Sequence, residues 1–145
     1  MAVQSSLQER LTGRLGDVLG LAQPADEFAL ARSDRKALGS RLLRTLASER
    51  LLRPDDVYRV VPRRTWVRRK SEGDLSLAEF DGLYRLVRLQ LLAELVFGDK
   101  ERAHEWLHTP KKRLGEVAPV EFATDTLGFE AIEHWLHEID QGYFA

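Results

Sequence analysis

The 145-residue sequence contains no cysteine, so neither a disulfide framework nor a thiolate metal site is open to it. It also lacks a membrane-length apolar run. The most apolar stretch, LYRLVRLQLLAELVFG, carries Arg85, Arg88 and Glu94 and is shorter than a bilayer span. The opening MAVQSSLQERLTGRLG places charges where a secretory leader needs an apolar core. These absences predict a cytoplasmic protein with no membrane partner. There is no repeat or low-complexity tract, and VYRVV is the only short candidate for a strand. The serines and threonines build no nucleophile elbow or phosphate loop. Gly13, Gly16 and Gly20 follow no strand, which excludes a dinucleotide fingerprint. The chain is therefore expected to be no enzyme and to need no cofactor.

Charge is present in both signs but unevenly placed. The net charge is −1, yet residues 35–70 hold twelve Lys or Arg against three acids, and residues 116–145 hold seven acids and no Lys or Arg. A basic segment and an acidic one suggest two different partners.

Apolar periodicity predicts an all-α fold. Leu7, Leu11, Leu15 and Val18 mark a first helix over 5–21, weakened by its glycines. A loop or short helical turn follows. Ser33 or Asp34 can cap a helix whose face is Leu38, Leu42, Leu43 and Leu46. Pro54 opens a short helix, and Pro62 occupies a first helical position before RRTWVRRK. Ser76 and Glu79 form a capping box for a helix that ends at Gly98 and lies central in the core. A helix over DKERAHEWLH is stopped by Pro110. After the loop KKRLGEVAP, Pro119 starts a short helix reaching about Asp125. Gly128 then precedes a last helix with the stripe Phe129, Ile132, Leu136, Ile139 and Tyr143.

HEWLH at 104–108 matches H-E-x-x-H, which on a helix would offer His104 and His108 to zinc with Glu105 as base. Pro110 stops the helix two residues later and no G-x-x-H follows, so we expect an ordinary amphipathic helix with Trp106 and Leu107 inward, and no metal site. RVVPRRTWVRRK is the stronger signal. Its Arg63, Arg64, Arg68, Arg69 and Lys70 fall on adjacent turns after a helix and a short break. That is the order of a helix-turn-helix, whose later helix enters the major groove. Guanidinium groups suit phosphate clamping and guanine contact there.

From about residue 35 onward the sequence resembles the Xre/MbcA/ParS antitoxins, whose partners are RES-domain toxins. The matching pieces are Pro62, Arg64, Thr65, Trp66 and Arg69; Leu75, Ser76, Glu79, Leu83 and Arg85; and Val96, Phe97, Gly98, Ala103, Trp106, Leu107 and Pro110. LGEVAPVEF and LGFEAIEHWLHEIDQGYFA complete them in family order. Ala123 stands where a larger aliphatic is usual. Gly82 stands where a polar side chain is common and would loosen its helix by about 1 kcal/mol. The first 34 residues match nothing in the family.

The resemblance implies a two-part antitoxin of a type II system. Residues 1–72 would carry an Xre-like helix-turn-helix that binds the operon's own promoter, through Arg63, Arg64, Thr65, Arg68, Arg69 and Lys70. Residues 73–145 would bind the toxin, an NAD-consuming enzyme, and cover its active site. A homodimer is implied. The toxin-binding residues are expected at the acidic end of the chain: Trp135, Glu138, Ile139, Gln141, Gly142, Tyr143, Phe144 and Ala145. Gly142 lets the chain leave the helix. Tyr143 could fold back along the stripe, whereas Phe144 does not continue it and could enter the toxin's NAD pocket. The competing readings are a helix-turn-helix regulator without a toxin and a small zinc hydrolase.

Overall fold

The computed structural model describes residues 6–142. Among these residues the chain is all-α, as expected: α1 (Leu7–Leu19), α2 (Glu27–Arg32), α3 (Arg35–Ser48), α4 (Pro54–Val60), α5 (Arg63–Glu72), α6 (Leu77–Phe97), α7 (Lys100–His108), α8 (Pro119–Phe122) and α9 (Thr126–Asp140), with one 3-10 turn at Lys112–Leu114. VYRVV lies mostly in α4 and forms no strand. No helix among the described residues is long and apolar enough to cross a membrane.

Local chemistry sets most helix starts. Asp34 accepts from the Lys36 N–H, and Asp99 from those of Glu101 and Arg102. Ser76 and Glu79 make the reciprocal capping box: the Glu79 N–H donates to Ser76 Oγ at 3.1 Å and the Ser76 N–H to Glu79 Oε1 at 2.8 Å. Two expectations need correction. Pro62 is the N-cap of α5 with ψ 146°, not its first helical residue. Gly128 lies inside α9, because Asp125 caps that helix by accepting the Gly128 N–H at 2.7 Å.

The chain divides by packing into two units, with the division between Val87 and Arg88, inside α6. The functional boundary expected at residues 72 and 73 falls at the turn after α5, where Gly73 takes the left-handed φ of 82°.

In the unit spanning Gln8–Val87, Leu11, Leu15, Leu42, Val61 and Leu83 are fully buried. Thr45 Oγ1 donates to the Val18 carbonyl at 3.0 Å and ties α3 to α1. Gly82 has a tertiary role that a reading of helix propensity misses. A Cβ there would sit 2.6 Å from Val60 Cγ1, so the missing side chain lets α4 and α6 approach.

The second unit comprises Leu7 and the chain from Arg88 onward. Leu89, Leu91, Leu92, Ala103, Ile132 and Leu136 are buried there. Arg88 Nε donates to Glu133 Oε1 at 2.6 Å and joins the second half of α6 to α9. The segment between α7 and α8 is more ordered than a plain loop. The Lys111 N–H donates to the Val117 carbonyl at 3.1 Å, closing a short antiparallel bridge around the 3-10 turn. Gly115 and Glu116 reverse the chain there with φ of 71° and 65°.

Candidate functional sites

The helix α5 turns one side inward and leaves the other basic. Trp66 is 6% exposed and anchors the helix, while Val67 beside it is 56% exposed. Arg63, Arg64, Arg68 and Lys70 are exposed, and Thr65 is half-buried. The helix follows α4 directly, with only Val61 and Pro62 between them. The face thus joins guanidinium groups suited to phosphates with one apolar side chain suited to a thymine methyl.

The basic side chains are not equivalent. Arg68 meets Glu72 at 3.7 Å across an exposed turn, an arrangement worth little in water. Arg69 is held by a carboxylate from another helix. Its Nε donates to Glu79 Oε1 at 2.9 Å and its Nη2 to Glu79 Oε2 at 3.3 Å, with Nη1 reaching Glu72 Oε2 at 3.3 Å. The Glu79 hydrogen bond is the main reason that the Arg69 guanidinium holds its proton more tightly than usual. Burial works against the Glu79 charge, but the Ser76 N–H and Arg69 outweigh it, so the carboxyl lies below its ordinary range. Sequence reading placed Arg69 with its neighbours. Its carboxylate partner, ten residues along the chain, could have been suspected only from Glu79 standing at a helix start.

At the acidic end, Trp135 is buried and Ile139 is half-buried. Trp135 meets Trp106 edge to face, with ring centroids 5.0 Å apart, and Trp106 in turn meets Phe97 at 5.7 Å. Cations cover this aromatic cluster: Lys111 Nζ lies 5.1 Å from the Trp106 ring centre and Arg113 Cζ 5.0 Å from that of Trp135. Burial lowers the Lys111 pKa, with Glu105 acting in the opposite sense. Such cation–ring contacts have no fixed sequence spacing, so the residue pattern does not reveal either of them. Glu138 is flanked by Arg113 at 3.6 Å and His134 at 3.2 Å. Gln141 and Gly142 are exposed, and Gly142 has a φ of 102°, consistent with a chain leaving the helix. Tyr143, Phe144 and Ala145 lie outside the described residues.

His104 and His108 share one face of α7, with ring centroids 3.8 Å apart. His108 Nδ1 is 2.7 Å from the His104 carbonyl. Trp106 and Leu107 point inward, as expected, and Glu105 is exposed.

Two similarities bear on these surfaces. Residues 92–142 match the antitoxin Xre/MbcA/ParS C-terminal toxin-binding domain. They take in the last six residues of α6, all of α7 to α9 and the aromatic cluster. The chain is also 28% identical over 131 residues to a protein of Pseudomonas putida named "Antitoxin Xre", a span covering 90% of this chain and 82% of that one. The first similarity is to a toxin-binding domain over the C-terminal part of the chain, and the second is to an Xre antitoxin over most of its length.

Proposed function

We propose that this protein neutralises a RES-domain, NAD-consuming toxin by covering its active site, and that it represses its own operon through α5. The similarity to an Xre antitoxin along 90% of the chain, with the toxin-binding match at 92–142 within it, carries this reading. Residues 1–72 would hold the DNA-binding function and residues 73–145 the toxin-binding one. A cytoplasmic homodimer would present two copies of α5 to paired half-sites. Arg63, Arg64, Arg68 and Lys70 would supply phosphate and base contacts. Toxin binding would use α9 from Trp135 through Glu138 and Ile139, then Gln141, Gly142, Tyr143, Phe144 and Ala145. Trp135, being buried, would act by shaping the surface, and the terminal segment would enter the NAD pocket. The acidic surface would speed encounter with a basic site.

The test is co-expression with the RES-domain product of an adjacent reading frame. The protein should relieve growth arrest, preserve cellular NAD or block target modification, and co-purify with the toxin. Deleting residues 142–145 should reduce inhibition more than affinity. Continued arrest in the presence of the soluble full-length protein would overturn the reading. The exposed basic face of α5 also suits a regulator with no toxin, and absence of a RES-domain gene beside this one would favour that alternative.

A further inference from the structure

The basic run of α5 contains one side chain whose geometry differs from the rest. Arg63 and Arg64 lie on the exposed face, and Arg68 is 61% exposed along its side chain. Arg69 is 24% exposed and Glu79 only 14%. The Glu79 carboxylate has both oxygens occupied: Oε1 accepts from Arg69 Nε and from the Ser76 N–H, and Oε2 accepts from Arg69 Nη2. One carboxylate therefore caps α6 and grips α5. A bidentate guanidinium–carboxylate pair fixes orientation as well as distance. The turn that joins the two helices is otherwise held by the Gly73 N–H, which donates to the Arg69 carbonyl at 2.7 Å, and by Ser40 Oγ, which donates to Asp74 Oδ1 at 3.4 Å; neither fixes the orientation of a side chain on α5.

We propose that Arg69 and Glu79 form a positioning pair that sets the orientation of α5, and that Arg69 makes no DNA contact of its own. This inference rests on the reading of α5 as a DNA-binding helix. Its consequence is opposite to that of simple charge. Removing the negative charge of Glu79 should favour DNA if charge alone mattered, whereas loss of positioning should weaken binding.

The test uses the full chain and a fluorescent duplex covering the promoter of its own gene. Affinity is titrated from about 50 to 200 mM salt, where each phosphate contact contributes about 0.9 to the slope of log K against log salt. Glu79→Gln keeps a capping-box acceptor for Ser76 and removes the ion pair. Arg69→Lys keeps the charge but cannot make the bidentate fork. Both variants should bind about three- to tenfold more weakly with the wild-type salt slope, in the range expected for loss of a partly buried charged pair. Arg64→Ala should instead flatten the slope by about one unit. Wild-type or tighter binding by Glu79→Gln, or full binding by Arg69→Lys, would overturn the inference while the DNA reading stands. A wild-type chain with no salt-dependent affinity for the duplex would overturn the DNA reading, and the inference with it.

Discussion

Gly128 offers a sharp test of the packing argument. A Cβ at this position would collide with the backbone carbonyl oxygen of Phe122, which, unlike a side-chain tip, cannot rotate away. Its N–H is also the donor to the Asp125 cap. In Gly128→Ala the start of α9 must move from α8, at a cost of about 1–3 kcal/mol for a forced backbone shift. The cap is strained with it, and a cap is worth about 1 kcal/mol. Greater helix preference returns up to about 1 kcal/mol. The net loss should be about 2 kcal/mol, or roughly 4–8 °C in melting temperature for a chain of this size. Far-ultraviolet circular dichroism melts would measure it. Gly13→Ala is the control, because nothing lies within 4 Å of its added Cβ inside α1, and it should stabilise by about 0.5–1 kcal/mol. A Gly128→Ala protein that melts at or above the wild-type temperature would refute the reasoning.

Other outcomes follow from the same geometry. Gly82→Ala should destabilise the fold despite its better helix propensity, and shortening Val60 to Ala in the same chain should remove most of that added penalty in urea unfolding. Glu116→Gly should raise the unfolding free energy by up to about 1 kcal/mol, read as a higher urea midpoint, because Glu116 holds a φ of 65° with an exposed side chain. Glu79 binds a proton less readily when folded than when unfolded, so its pairing stabilises the chain above the ordinary value of 4.5 and loses that effect as pH falls through the lower folded value. The stability difference between wild type and Glu79→Gln should therefore shrink on acidification. Replacing both His104 and His108 by Ala should leave toxin neutralisation intact, with no stoichiometric zinc found by metal analysis of the purified wild-type protein.

The sequence was most legible where structure depends on near neighbours. Asp34, Ser76 with Glu79, Pro54 and Pro119 work within one helical turn, and each stands at the helix start expected of it. Pro62 was displaced by one position because its restricted φ suits both an N-cap and a first helical residue. Gly128 was misplaced for a different reason. A glycine normally signals the outside of a helix, but here the carbonyl of Phe122 requires it within one. The split among the basic side chains was invisible because it depends on which carboxylate folds back onto which arginine. The pattern of residue types placed Arg69 in the basic group, and only three-dimensional pairing sets it apart.

The three tryptophans of the chain also distribute its optical signals. Trp66 belongs to the Gln8–Val87 unit and lies just beneath the basic face of α5. Trp106 and Trp135 belong to the other unit, and their indoles are close enough for the electronic transitions of one ring to couple to those of the other. That coupling should give paired bands of opposite sign in ultraviolet circular dichroism, which an isolated Trp66 cannot produce. Replacing Trp66 by Phe would leave the paired indoles to report on the second unit alone. Replacing Trp135 by Phe would abolish the paired bands and leave the Trp66 emission in place. The molecule thus carries a separate built-in chromophore for each of its two proposed binding events, and each could be followed without an added label.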